Sequence, residues 1–511
     1  MKQQQKGSLS LVIAGLLLGI LMASMDNTIV ATAMGNIVGE LGGMDKFIWV
    51  TSAYMVAEMA GMPIFGKLSD MYGRKKFFIF GIIVFMLGSV LCGTAGSITE
   101  LAIFRAIQGI GGGALVPITF TILFDAVPLE KRGKMGGLFG AVFGLSSIFG
   151  PLLGAFITDH IAWQWIFYIN LPLGIISFVT VTFFYKESHE HSKQPIDWLG
   201  AITLIGAIVC LMFALELGGK QLAWHSGIIL SLFGGFALLL AAFLITESRA
   251  EEPIISFGLF KNRLYTSSIL VALFSGAAFI AASVYIPIFI QGVLGGSATN
   301  SGLVLLPMMV GSVITATLGG SLMTKISYRS ILIPTLILLA VGVGLVASLT
   351  AESSRLIVTV YMVLIGLGIG ASFSVLSNAA IHGLSYRQRG SAGSTLNFIR
   401  SLGMTMGITM FGLIQSHHFS NQMGKISADS QLPEGLNFQD PHALLSPETR
   451  AVIPADLLKQ FSEFLSSSIV TTFAWAIVPV ALALLAALFM GNKKLDNSAE
   501  AEEAPAYSSV H

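Results

Sequence analysis

The chain has 511 residues, of which 54% are hydrophobic and 11% charged, with a mean hydropathy of +0.80; a soluble domain carries roughly a quarter charged residues. A formal net charge of +1 supplies no clustered basic excess, which argues against a nucleic-acid partner. The two cysteines, Cys92 and Cys210, fall in apolar runs away from any histidine or acidic cluster, and read as core residues rather than a disulfide or metal ligands.

Apolar runs of about twenty residues recur along the chain, each long enough at 1.5 Å per residue to cross a hydrocarbon core of roughly 30 Å. Lys2 and Lys6 followed by the run 9–25 resemble a secretory signal superficially. The run is too long for one and leads straight into Asp26 and Thr28, so an uncleaved first helix is expected. Helices are predicted at 9–34, 47–68, 77–95, 101–124, 135–158, 163–185, 198–217, 225–245, 265–291, 301–323, 331–349, 356–378, 392–415 and 469–490. The expected fold is therefore an all-α polytopic membrane protein with about fourteen spans. An even count puts both termini on one side. With the N-terminus inside, roughly twenty Lys and Arg residues are cytoplasmic and about six external, as the positive-inside rule requires. Lys67, Arg74, Lys75, Lys76, Lys131, Arg132 and Lys134 belong to the internal group.

The connection after the sixth helix is short and polar, whereas 416–468 predicts an external loop beyond the usual length. Within it Leu457, Leu458, Phe461, Phe464 and Leu465 form an apolar stripe after Pro454, which predicts an amphipathic helix on the outer surface or against the bundle. Whether that loop meets an adaptor protein is open. The acidic tail 491–511 reads as disordered and cytoplasmic. Gly66-Lys67-Leu68-Ser69-Asp70 has a faint counterpart in Gly320 to Lys325, which predicts two related halves. The expected division is a first six-helix bundle at 1–190, two inserted helices at 191–262 and a second bundle at 263–490.

Five stretches carry the chemistry. Gly66, Asp70, Gly73 and Arg74 lie in the tight reversal Gly66-Lys67-Leu68-Ser69-Asp70-Met71-Tyr72-Gly73-Arg74-Lys75-Lys76. Glycines permit the turn, Asp70 suits the start of the next helix, and the basic residues hold it inside. Arg105 sits within the fourth helix with Gln108 and Gly109 nearby. A charge there costs about 2.5 to 3.5 kcal/mol, so it needs a partner or a task. Asp26, at matching depth in the first helix, is the expected partner, either as a fixed tie or as a carboxylate that cycles a proton between burial and the arginine's field. Glu58, near the middle of the second helix, shares a face with Tyr54 and Met62. A carboxylate beside aromatic and thioether groups suits a lipophilic cation, a proton, or competition between them. Met22 and Arg400 join Tyr54, Glu58 and Met62 as expected cavity residues. Gly144, Gly150, Pro151 and Gly154 mark a fifth helix that bends and permits close contact.

The turn at 66–76 resembles the signature loop of the major facilitator superfamily, and the stretch from Leu101 to Gly113 resembles its second motif. Met25-Asp26-Asn27-Thr28-Ile29-Val30 resembles the first-helix motif of the fourteen-helix drug/proton antiporters. The fifth helix resembles the antiporter motif of exporters, with Ala155 in place of the second glycine of the usual pair. The resemblance, to the EmrB/QacA type of multidrug exporter, implies the major facilitator fold and a latch in which Asp70, Arg74 and Asp125 hold the halves together. It further implies export of lipophilic small molecules from the cell membrane in exchange for protons, by a monomer, without enzymatic activity, cofactor or metal. No Walker loop ends in Gly-Lys-Ser/Thr, and the glycine-rich runs at 109–113 and 366–370 lie within apolar helices with no soluble strand before them. A proton-coupled transporter of one metabolite on the same fold is the competing reading. A membrane receptor or assembly subunit would leave the buried charges without a use.

Overall fold

The computed structural model describes residues 2–42, 48–127, 129–187, 196–219, 222–296, 298–426 and 454–495. Among these the long elements are all helices: α1 (Lys2–Leu41), α2 (Ile48–Tyr72), α3 (Arg74–Gly93), α4 (Ile98–Ala126), α5 (Leu129–His160), α6 (Asn170–Phe184), α7 (Trp198–Leu217), α8 (Gly227–Glu247), α9 (Arg263–Ile288), α10 (Ala298–Leu322), α11 (Tyr328–Val346), α12 (Arg355–Ile381), α13 (Tyr386–Ile426) and α14 (Ala455–Leu488). Eleven are long and apolar enough to cross a membrane by length and composition. The others are α2, α5 and α13, which sit at the seam where α2 packs on α13 and α5 on α10. Side chains enclosed by protein on that seam escape the lipid, so the polar residues these helices carry are tolerated there.

Local chemistry sets the helix boundaries. Ser97 Oγ accepts from Glu100 N at 3.2 Å while the Glu100 carboxylate accepts from Gly96 N at 2.9 Å, a reciprocal cap that starts α4. Serine N-caps likewise begin α8, α11 and α12, at Ser226, Ser327 and Ser354. Between α2 and α3 the chain reverses at Gly73, whose φ of 111° is closed to residues with a Cβ.

Buried apolar side chains separate into one cluster drawn from residues 259–495 and two drawn from 12–185, the cores of two helical bundles. A fourth joins Met59 and Met62 of α2 to Leu204 and Met212 of α7, Phe243 of α8, Ile254 and Ile255 after it, and Phe398 of α13. The inserted hairpin α7–α8 therefore lies beside the seam.

The expected external loop 416–468 is shorter than its sequence suggested. Helix α13 continues to Ile426 and α14 begins at Ala455. The stripe at Leu457 to Leu465 is the first part of α14, not a separate surface helix, and its Phe461 and Leu465 are buried in the second bundle's core. The serines that follow do not break it, because Ser468 Oγ bonds back to Leu465 O at 2.8 Å. Cross-links from Gln415 Nε2 to Ser468 Oγ at 3.4 Å and Gln422 Nε2 to Ser467 Oγ at 3.1 Å tie α13 to α14. Residues 427–453, 188–195 and the tail 496–511 lie outside the described residues.

Candidate functional site

Four helices of the first bundle converge on Asp26, which is fully buried. Its carboxylate pairs with Arg105 Nη1 from α4 and accepts from Gln108 Nε2 at 2.8 Å and from Asn170 Nδ2 of α6 at 2.9 Å. Ser89 of α3 closes the cage, accepting from Gln108 at 2.8 Å and Asn170 at 3.3 Å. Arg105 donates further to Gln108 Oε1 at 2.7 Å and to Val50 O at 3.3 Å, and its guanidinium lies 4.1 Å from the centroid of the Tyr54 ring. The depth matching of Asp26 with Arg105 thus corresponds to a direct ion pair. Ser89 and Asn170 were not anticipated: a lone polar residue on an apolar helix gives no sign of which neighbour it will meet.

On the seam beside this cage lies a cavity of about 240 Å³. The first bundle contributes Asn27, Met55, Glu58, Met59, Met62, Val116 and Phe120; the second contributes Phe279, Ile280, Phe373, Asn397, Arg400, Met404, Thr405 and Ile408. Glu58 is the one carboxylate among the described lining residues. It lies beside Asn27 and within the electrostatic reach of both Arg105 and Asp26. Arg400, for which sequence offered no partner, donates to Asn397 Oδ1 at 3.1 Å and Ser372 O at 3.4 Å and stands 5.0 Å from the Phe373 centroid.

Of the expected cavity residues, Glu58, Met62 and Arg400 are brought together and Tyr54 and Met22 are not. Four residues turn a helix through about 400°, so Tyr54 is offset by roughly 40° and a full turn of rise from Glu58. Arg105 and the Ala23 carbonyl, 3.4 Å from the phenol oxygen, hold the ring inside the bundle. Met22 is fully buried against Gly174 of α6.

At the end of the molecule that carries the basic turn, Asp70 spans both bundles. It pairs with Arg74 at 3.1 Å and accepts from the backbone N–H groups of Gly390 at 3.0 Å and Ser391 at 2.8 Å, at the start of α13. Gly66 lies so close to Ser394 and the Gly390 carbonyl that a Cβ has no room. Lys67 pairs at 2.7 Å with Glu252, from the segment between α8 and α9. Glu187 accepts from Arg74 N at 2.7 Å, satisfying the first turn of α3. Asp125 belongs to α4, but its side chain lies outside the described residues.

Along α5, Gly150 faces Thr28 of α1 and Gly154 faces Thr32 and the Ile29 carbonyl. Thr28 Oγ1 donates to Ser146 O at 3.0 Å, and Ser24 and Ser146 share a hydrogen bond of 2.6 Å. The motif glycines thus let α5 ride directly on the helix that carries Asp26. Pro151 sits between them, inside the helix. Ala155 is exposed, which accounts for alanine there in place of glycine. The surroundings of Gly144 lie outside the described residues.

Residues 16–408 match the Major Facilitator Superfamily. The chain is 53% identical over 502 residues to "Multidrug resistance protein 3" of Bacillus subtilis (strain 168), covering 97% of this chain and 98% of that one. It is 35% identical over 528 residues to "Multidrug transporter protein MdtP" of the same organism, covering 98% of each. Among solved structures it superimposes on the proton:xylose symporter XylE with a TM-score of 0.59 at 14% identity, over 98% of this chain and 99% of that one. It also superimposes on a bacterial homologue of the lysosomal transporter Spinster, in an inward-facing conformation, with a TM-score of 0.55 at 17% identity, over 96% of this chain and 99% of that one. With the family matched over most of its length and the two-bundle helical fold shared with these transporters, this multi-pass membrane protein belongs to the Major Facilitator Superfamily.

Proposed function

We propose that this chain is a proton-coupled multidrug efflux antiporter, exporting amphipathic, often cationic compounds across the cell membrane by alternating access. The names of its two Bacillus subtilis relatives support the substrate class. In this reading the basic end is cytoplasmic, both termini are inside, and the protein works as a monomer of two bundles, 1–190 and 263–490, with the inserted helices within 191–262. The observation that carries it is the position of Glu58: a single carboxylate in a seam cavity walled by Met55, Met59, Met62, Met404, Phe120, Phe279 and Phe373.

Methionine and aromatic walls accept apolar bodies of varied shape, and one carboxylate selects positive charge. A proton and a cationic drug compete for Glu58, so neither occupies it in the other's presence, which is the minimal chemistry of exchange. The Asp26–Arg105 pair acts as a fixed counter-charge whose field reaches Glu58, and it passes the occupancy of Glu58 to α1, α4 and, through Thr28 and Ser146, to α5. The Asp70 latch holds the cytoplasmic end shut while the cavity communicates with the outside. One charge crossing 100 mV is worth about 2.3 kcal/mol, roughly a fiftyfold concentration ratio.

Everted vesicles energised to an acidic interior and loaded with a pH-quenched dye test this. Adding a lipophilic cation is expected to release protons from vesicles carrying the protein and not from those carrying Glu58→Gln. Proton release absent in both, or equal in both, refutes the assignment.

A further inference from the structure

A pair of carboxylates lies outside the cavity, at the basic end of the inserted hairpin. Asp197 caps α7 through Oδ1, which accepts from Gly200 N at 2.8 Å. Glu247, the last residue of α8, is buried to 3% exposure and binds the backbone N–H of Ile255 through Oε1. The second oxygens, Asp197 Oδ2 and Glu247 Oε2, are both buried and neither has a hydrogen-bond donor. They converge over Gly200: a Cβ there would collide with both, standing 2.8 Å from Glu247 Oε2. The two carboxyl groups are within hydrogen-bonding reach of one another.

Two buried carboxylate oxygens that face each other without a donor repel, unless a cation sits between them. Among the described residues no group of three or more His, Cys, Asp or Glu is placed to hold a metal ion. A proton needs no more than these two oxygens. Asp197 is the charged group that bears on Glu247; Arg249 is exposed, and Lys67 of α2 is engaged by Glu252.

The geometry points to a second proton-binding site, in which Asp197 and Glu247 share one proton and thereby strap the segment 248–256 across the latch. The connection is continuous. Glu247 holds Ile255 N, Ile254 O accepts from Ser391 Oγ at 2.7 Å, and Ser391 N donates to Asp70. Glu252 adds the ion pair to Lys67. The strapped form binds the proton and a released form gives it up, so strapping is complete at low pH and is lost as pH at the basic face rises and the proton leaves. This goes beyond the drug and proton chemistry at Glu58 and does not depend on it.

The full-length protein in nanodiscs tests it, with Ile255→Cys introduced into a background lacking Cys92 and Cys210. Ile255 is buried, so a maleimide reaches Cys at this position once the strap lifts. Glu247→Gln keeps the acceptor for the Ile255 amide and replaces the shared proton with an amide donor. The ratio of labelling rates without and with Glu247→Gln cancels the thiol's own ionisation. That ratio is expected near one at low pH, then rising about tenfold per pH unit across the titration. A ratio independent of pH overturns the proposal, and so does a ratio set by sodium concentration at fixed pH. Infrared spectra without the cysteine are the second measurement. A protonated-carboxyl component at neutral pH is expected that Glu247→Gln and Asp197→Asn each remove and Glu58→Gln leaves in place; a band unchanged in either of the first two variants, or missing from the parent, overturns the proposal. Neither readout involves transport, so failure here is separable from failure at Glu58.

Discussion

Gly66→Ala is expected to open the basic end of the molecule. The added methyl would overlap Ser394 Oγ and Cβ and stand 3.0 Å from the Gly390 carbonyl. The side chain of Ser394 is fully buried and cannot swing clear into solvent, so α2 and α13 must separate. Overpacking of this kind costs about 1 to 3 kcal/mol. Because the strain exists only where the bundles meet at this end, it falls on one conformer and shifts the equilibrium about 5- to 150-fold towards the other. Spin labels at Lys76→Cys and Gln388→Cys, both exposed and on opposite bundles, report the separation by pulsed dipolar spectroscopy. Gly66→Ala should add a population at longer distance, and Ser394→Gly, which removes both overlapping atoms, should restore the parent distribution in the double variant. A folded Gly66→Ala protein with the parent's distance distribution refutes the argument that this glycine sets the closure of the latch.

Arg105→Ala removes the charge partner of the buried Asp26 and is expected to cost about 3 to 5 kcal/mol, as broken buried pairs do. Thermal unfolding in detergent should show the loss, with Asp26→Asn/Arg105→Ala recovering part of it. Glu58→Gln should leave thermal stability near the parent's, because Glu58 faces a cavity rather than a cage, and should abolish the dependence of dye export on the pH gradient in intact cells. Asn170→Asp would set a second carboxylate within hydrogen-bond distance of Asp26; exporter stability is expected to fall at neutral pH and recover as acid protonates one of the two.

The spans were legible because lipid demands a simple code: about twenty apolar residues in a helix, with the basic residues kept to one side. Depth was legible too, since rise per residue placed Asp26 and Arg105 at one level without a structure. Azimuth was not. Tyr54, Glu58 and Met62 share a helix face in the sequence, but the crossing of α2 over α4 turns Tyr54 inward to Arg105 and leaves the other two on the seam. Asn170 and Ser89 stayed hidden for the same reason, because which helix neighbours which is a property of the bundle. The boundary of α14 was misread because Ser466, Ser467 and Ser468 look like a break in hydropathy, whereas inside a helix a serine hydroxyl is satisfied by the carbonyl three or four residues back.

The length of α13 has a mechanical consequence. Its 41 residues make a rod of about 60 Å, stiffened at the far end by the hydrogen bonds to α14. Its near end carries Gly390 and Ser391, which part from Asp70 when the latch opens, so the rod is a lever that pivots between its ends, near Arg400 and Met404 at the cavity. If the bundles rock by about 15°, as rigid bodies elsewhere do, the tip sweeps roughly 8 Å. A fluorophore fixed near His417 or Asn421 would turn each opening of the distant gate into a displacement readable from the other side of the membrane.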